Sequence, residues 1–488
     1  MSVVLGLPKK FLPQPEASLS EGVTAQWVKI QPNNIASITS NNFNMAASTV
    51  VNNAPLPVQD IRFSIPTGMG KNVWLDTAKS SFSFRARYVV STATTGAVDN
   101  AANLQSNALS FFDRIQVLNS NGVAIEDVTN LGQIEHHKQM WSSDVAERDS
   151  IALNYGYLAE AQSISDANKC QGHAIASFSS SAAAIPTGSS FYSYDVPLPS
   201  AFIGYGAKGF CPIGALQKLD LVLTTASVLP ITITVGAVTQ TGVCSVVLDN
   251  FAINAYYVYL DDKSSALLGS PKMHYVHGIT NRASSATLPS GLSGQTSILM
   301  GLRSQSTRGI ATRFSESALT TAGSLNGLYD SKMPLCSQIN YFLGGSTRIP
   351  QNPLSTNNAP ASVFLHALQA SEAFTQKDFR YAATPTAFTN YLATGTAPTA
   401  ANGFDQRIID ATSTTAQTSL QSFCFAEDIR KCSNSNILDG YNLSLSANNY
   451  LEMNITNAPT NSVYITFISS ADVIFMVDME QGSVDFRI

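Results

Sequence analysis

Arg114-Ile115-Gln116-Val117-Leu118-Asn119-Ser120-Asn121-Gly122-Val123-Ala124-Ile125-Glu126-Asp127 is the stretch on which the fold turns. Two apolar-containing runs flank Asn119-Ser120-Asn121-Gly122, and Asn-Gly tolerates the positive φ that a tight hairpin turn needs. The stretch therefore predicts two antiparallel strands. Just downstream, Thr129 or Asn130 can cap a helix whose apolar residues Leu131, Ile134, Trp141 and Val145 fall near one stripe. A long polar loop then runs to about Tyr192. Strand signals return where Leu219, Leu221 and Leu223 alternate, where Ile231-Thr232-Ile233-Thr234-Val235 alternates, and where Phe251, Ile253, Ala255, Tyr257 and Tyr259 share a face. Upstream, Ile61 to Ile65 and Phe82 to Tyr88 show the same period of two. Asp261-Asp262-Lys263-Ser264-Ser265 closes the run as a linker.

The plan then repeats. Ile339-Asn340-Tyr341-Phe342-Leu343 turns through Gly344-Gly345 into Thr347-Arg348-Ile349, and a helical segment follows around Ala361 to Phe379. A loop rich in Ala, Thr and Asn extends to about Asp405. Strands close the chain at Val463 to Phe467, Val473 to Val477 and Val484 to Ile488. Matching the hairpin turns (344 minus 121) gives a shift of 223 residues, and matching the late strands (473 minus 251) gives 222. The halves share no obvious residue identity, so the architecture repeats while the sequence does not. Hairpin, helix, long loop and long strands, without strand-helix-strand alternation, predict antiparallel sandwiches. The expected fold is all-β, with two tandem jelly-roll β-sandwiches carrying short helices and long loops, the first over 56–262 and the second over 263–488. Residues 1–55 hold scattered prolines, the Asn-rich Asn41-Asn42-Phe43-Asn44 and no sustained period. They predict an extended N-terminal arm that orders against a partner.

A chain of 488 residues has room for two large domains. Hydrophobic residues make up 44% while charged residues reach only 12%, about half the usual share for a soluble protein. Ser, Thr, Asn and Ala fill the segments between apolar runs, which suits long polar loops and wide protein contacts. The net charge is -5, and basic residues gather no more densely than the pair Lys9-Lys10, so direct nucleic-acid binding by counterion release is not expected. Cys170, Cys211, Cys244, Cys336, Cys424 and Cys432 lie far apart without a CxxC pair, which argues against zinc ribbons and thioredoxin-like chemistry. Most are expected as buried free thiols, Cys424 and Cys432 included. Met1 to Pro15 has too short an apolar run, followed by Lys9-Lys10, to be a signal peptide, and no window reaches the roughly 18 apolar residues of a membrane span. The chain is expected to be made and assembled inside a cell.

No catalytic, cofactor-binding or metal-binding residue emerges. Gly204-Tyr205-Gly206-Ala207-Lys208-Gly209 is a literal GxGxxG, but prolines precede it and a period-two strand follows in place of a helix, so a tight loop with close backbone packing is expected. Gly70-Lys71 lacks the rest of a phosphate loop. Adjacent His136 and His137 point about 100° apart on a helix and cannot jointly clasp a metal, so Glu135-His136-His137 is expected on the helix surface or at a subunit contact. His274 and His277 fall in a predicted strand. Asp261 and Asp262 face opposite ways on a strand and form no acid/base pair, and Ser293 falls one residue short of a nucleophile elbow.

Three stretches resemble the double jelly-roll major capsid proteins of icosahedral DNA viruses, in the polinton-like virus and virophage branch. The first is Tyr194-Asp195-Val196-Pro197-Leu198-Pro199-Ser200-Ala201-Phe202-Ile203-Gly204, continuing through Phe210-Cys211-Pro212-Ile213 to Leu219-Leu223. It is similar to the proline-bounded approach to the late strands of the family's first roll. The second, Arg348-Ile349-Pro350-Gln351-Asn352-Pro353-Leu354 after the Gly turn, resembles the second roll's hairpin, with Ile349 where the family usually has an aromatic residue. The third, Ala471-Asp472-Val473-Ile474-Phe475-Met476, looks like the closing strand. The resemblance covers roughly 55 to 488. It implies a structural protein without catalysis or cofactor, a homotrimer whose six rolls form a pseudo-hexameric capsomer in the virion. The implied partners are the chain itself, neighbouring capsomers, penton or minor capsid proteins, and an inner membrane where a shell has one. Two other readings remain open: a non-viral carbohydrate-binding or adhesive β-sandwich pair, and a β-sandwich hydrolase, for which no nucleophile-base or paired-carboxylate set appears.

Overall fold

The computed structural model of the chain describes residues 23–45, 55–91, 100–104, 106–142, 150–151, 154–156, 174–178, 188–234, 242–262, 264, 272–316, 329, 331–374, 388, 400–401, 404–405, 423–431 and 440–487. Eight strands build a first sandwich: β1 Thr24–Ile30, β2 Asp60–Ile65, β3 Ser81–Val90, β4 Phe112–Leu118, β5 Ala124–Thr129, β6 Gly188–Pro197, β7 Leu219–Thr225 and β8 Gly242–Tyr259. Eight more build a second: β9 Met273–Leu288, β10 Gly294–Leu299, β11 Thr307–Glu316, β12 Cys336–Leu343, β13 Thr347–Leu354, β14 Phe425–Asp428, β15 Tyr450–Ile455 and β16 Val463–Asp478. All these pairings are antiparallel. In the first roll β1-β8-β3-β6 form one sheet and β2-β7-β4-β5 the other. In the second, β9-β16-β11-β14 and β10-β15-β12-β13 repeat that order. Each strand n thus has its counterpart at n plus eight, and in both rolls a helix follows the hairpin: α1 Leu131–Ser142 and α2 Pro360–Phe374. These are tandem jelly rolls.

Period-two patterning produces the first core. Phe82, Phe84, Ala86 and Tyr88 of β3 are buried while the residues between them are not. Phe84 sits among rings, with centroids 5.4 Å from Phe82, 5.1 Å from Phe112, 5.1 Å from Tyr194 and 6.4 Å from Phe251. In the second roll Tyr341 stacks 4.8 Å from Phe425, and its hydroxyl donates to the Phe425 carbonyl, 2.8 Å away. Both hairpins form where expected, with Gly122 at φ 73° and Gly344 and Gly345 at 63° and 75°.

Several expectations are corrected. The segment read as an arm contributes β1 and two short strands, Ser37–Thr39 and Phe43–Met45, which run together along the edge of β8. No period of two marks its start, because Thr24 to Trp27 are exposed on both faces. Val463–Phe467 and Val473–Val477 are one strand, β16, since Ile468 to Asp472 are buried on both faces and continue the ladder. β6 begins at Gly188, ahead of the expected return at Tyr192. Ile231–Thr234 pairs with Asn100–Leu104 in a small side sheet, outside the sandwich. Val145 and residues 375–379, expected as helical, lie outside the described residues, as do Cys170 and Cys432.

Replacing Phe84 with Ala should cost about 3–5 kcal/mol, because the surrounding sheets close only partly over the cavity. Urea unfolding followed by tryptophan fluorescence measures it, and a loss under about 1 kcal/mol would show that this ring cluster does not hold the roll together.

Candidate functional site

The rolls meet at a seam built from sequence features that had no evident chemistry. After β6 the chain passes Leu198, turns, and pairs Ala207–Lys208 with Gly278 and His277 of β9, adding an edge strand of the first roll to the second roll's sheet. A Cβ on Gly204 would lie 1.9 Å from the Leu198 carbonyl oxygen, and one on Gly278 would lie 2.1 Å from that of Ala201. The Ile279 amide donates to the Gly206 carbonyl at 2.8 Å. The GxGxxG motif is thus a close backbone crossing, as its context predicted.

Polar side chains fasten the crossing from below. Glu126, buried within β5, accepts from Ser200 Oγ at 2.5 Å and from the Ala201 amide at 2.7 Å. Burial raises its pKa, against the pull of those hydrogen bonds and of Lys138. Glu135 accepts from the Tyr205 hydroxyl at 2.7 Å and from Lys138 Nζ at 3.1 Å, and Lys138 also donates to Tyr205. A small cavity lies between these groups, lined also by Asn281 of β9.

Helix α1 is buried, and this corrects the expected surface or subunit-contact role of Glu135-His136-His137. The second roll covers its histidines: the His136 ring lies edge-on to Tyr329 at 5.4 Å, while its Nδ1 sits 2.7 Å from Ser106 Oγ of the first roll, and the His137 ring lies edge-on to Phe374 of α2 at 4.7 Å. His137 is 2% exposed with neither ring nitrogen hydrogen-bonded. Burial, with the nearby charges of Arg313 and Lys138, pushes its pKa down to about 3. Aromatic contacts complete the seam: Trp74 against His274 at 4.9 Å and Phe202 against Phe475 at 4.8 Å. At its far end the Gln217 amide donates to the Gly482 carbonyl at 3.0 Å and its side chain to that of Gln481 at 2.8 Å.

The remaining candidates are structural in geometry. Asp472 accepts from His277 Nε2 at 3.0 Å and Arg308 Nη1 at 3.3 Å; burial opposes its ionisation, but these partners outweigh it and lower the pKa. Asp261 and Asp262 serve separate partners, the Ser264 amide and Asn72. Among the described residues no group of three or more His, Cys, Asp or Glu side chains is arranged to hold a metal ion, and no helix is long and apolar enough to cross a membrane. Cys211, Cys244, Cys336 and Cys424 are buried free thiols, as expected. On the outward face of β1-β8-β3-β6, Asp249 bridges Arg85 and Arg87, each at 2.7 Å, while Phe191 and Trp27 stand exposed. The matching face of the second roll is covered by α2, which packs on β11, β14 and β16.

No family model and no curated protein matches the chain in sequence. Solved structures do match in fold. A chain in the 3.5 Å cryo-EM structure of the Sputnik virophage aligns with a TM-score of 0.52 at 11% identity, covering 100% of this chain and 93% of that one. The mavirus major capsid protein aligns at 0.47 and 12% identity, covering 100% and 96%, and a chain of the PBCV-1 virus capsid at 0.47 and 10%, covering 95% and 97%. The Sputnik alignment agrees with the strand order: the described strands, from β1 to β16, form two tandem jelly rolls.

Gly204→Ala should lower the melting temperature by several degrees and increase proteolysis across the seam, because the new methyl group meets backbone that cannot step aside. An unchanged melting curve would refute the crossing.

His137 binds its proton better in the unfolded chain, at an ordinary pKa of about 6.5, than in the fold. Its contribution is therefore complete above about pH 6.5 and is lost as pH falls towards 3, by up to about 1.4 kcal/mol per pH unit. His366, whose pKa the Glu427 carboxylate raises, has the opposite sign and loses its contribution as pH rises. His137→Leu should flatten the acid limb: the stability of the variant relative to the parent, measured by denaturation at pH 7, 5.5 and 4, grows as pH falls. A difference independent of pH would refute this.

Proposed function

We propose that this protein is a major capsid protein, a homotrimer whose six rolls form a pseudo-hexameric capsomer tiling an icosahedral viral shell. The observation that carries the reading is the fusion of two rolls of identical strand order into one unit by a head-to-tail seam, over the full length aligned with the Sputnik virophage chain. Support also comes from the sparse charge, 12% of residues, which leaves broad sides able to lie against neighbours without desolvating many ions. The buried carboxylates of the seam are taken up by Ser200, the Ala201 amide, Tyr205 and Lys138, so their chemistry is spent on holding the rolls together. The protein works by packing and carries no catalysis or cofactor.

In this reading the chain divides after residue 262, between the end of β8 and the start of β9. Its place is the virion, and its partners are copies of itself, neighbouring capsomers, penton or minor capsid proteins, and an inner membrane in shells that contain one. Genome neutralisation belongs to another component, since net charge is -5.

Light scattering after size exclusion tests the reading. Three chains of 52.0 kDa give 156 kDa (3 × 52.0), with hexagonal outlines in negative stain. A 52.0 kDa monomer that persists at high concentration would overturn it in favour of a binding module.

A further inference from the structure

Asn281 of β9 stands where the alternation of the strand calls for an apolar side chain. It lies two residues beyond Ile279, on the same face, and both are buried against the first roll, Asn281 at 7% exposure. Its Oδ1 has no hydrogen-bond partner within the fold. A buried acceptor left unpaired costs stability, so an atom in this position calls for a ligand.

The same side chain lines the cavity of the seam. There β5, α1 and the crossing loop bring Glu126, Glu135, Lys138, Ser200 and Tyr205 together on the first roll's side. The volume, counted for a water-sized occupant, is about 20 Å³, and roughly 10–15 Å³ suffices for one water. Room for a larger ligand is lacking. Every hydrogen bond of Glu126 and Glu135 described above runs to Ser200, Ala201, Tyr205 or Lys138, all of the first roll, so this network stops short of β9.

Charge selects among small occupants. Lys138 is bound to Glu135, and burial raises the Glu126 pKa, which favours its neutral form. A small anion in the cavity would meet the oxygens of Glu126 and Glu135, and a small cation would meet the Lys138 ammonium. A neutral molecule that both donates and accepts suits every wall. It can donate to Asn281 Oδ1 and to a remaining lone pair of either carboxyl group, and accept from Lys138 Nζ.

We propose that the seam cavity is a binding site for one water molecule, held between Asn281 of the second roll and Glu126, Glu135 and Lys138 of the first. The water carries the polar network of α1 and β5 across to β9, and a bridging water is nearly as good enthalpically as a direct hydrogen bond. Asn281 is the residue that receives it.

Two experiments on the full chain test the site. In a high-resolution crystal structure a single density peak is expected within about 2.7–3.2 Å of Asn281 Oδ1 and of at least one of Glu126, Glu135 and Lys138. Crystals grown in rubidium or bromide salts identify the occupant: an anomalous peak at the site overturns the proposal in favour of a cation or an anion, and a cavity without density overturns it outright. The second experiment reads hydrogen exchange of the Ile279 amide, which closes the seam on Gly206, by mass spectrometry of peptides spanning 276–282. Asn281→Leu nearly keeps the side-chain size but strips the water of a partner, and protection should fall about five- to thirtyfold. In a dry cavity the same substitution removes an unpaired acceptor, so protection that rises or stays level overturns the proposal. Should the variant not fold, the density in the wild-type crystal decides.

Discussion

A carbonyl oxygen of one β-sandwich, that of Ala201, reaches the α-carbon of Gly278 in the other so closely that a single methyl group would lie 2.1 Å from it. Two domains joined only by a linker would move relative to each other. Here backbone touches backbone, a short strand crosses from one roll into the other's sheet, and the angle between them is set by hydrogen bonds that have no flexible side chain in the path. The covering of α1, the pairing of Trp74 with His274 and the contact of Gln217 with the turn at Gly482 all require that angle.

The seam is also where the molecule accepts its largest polar burden. Glu126, Glu135, His136, His137 and Lys138 are all buried, and burying such groups is costly unless they are partnered. Most are: Glu126 holds the crossing loop, and Glu135, Tyr205 and Lys138 satisfy one another. His137 is the exception and stays neutral. A hydrophobic seam would hold as firmly, but it would tolerate sliding. Directional bonds to a loop with no room for a methyl group specify one arrangement.

What was legible in the sequence follows from where the faces of each element point. β3 could be read because Phe82, Phe84, Ala86 and Tyr88 face a core while Ser83, Arg85 and Arg87 do not, and both hairpins because their glycines take positive φ. The duplicated plan was legible from spacing alone, since loops and turns keep their order when residues drift. β1 was not, because Thr24 to Trp27 are exposed on both faces and only its end, at Val28 and Ile30, meets the core, too short a stretch to show a period. Helix α1 was misplaced for the opposite reason: Glu-His-His-Lys looks like a solvated face, and the residues that cover it, such as Tyr329 and Phe374, lie about 190 to 240 positions away. The middle of β16 was lost because Ser469, Ser470 and Asp472 are polar yet buried, Ser470 donating to the Ala373 carbonyl of α2. The seam motif could be excluded as a nucleotide site from its context, but its partner strand is some 70 residues away and has no local signal.

Four thiols, Cys211, Cys244, Cys336 and Cys424, are sealed in the interior, and burial pushes those of Cys336 and Cys424 up to about 12. A thiol that does not ionise is a poor nucleophile and a poor target for oxidants. Where these side chains stand, the fold therefore owes nothing to the redox state of its surroundings. At these four positions it can pass from reducing to oxidising conditions with the same covalent structure, the core around them held by packing and not by cross-links.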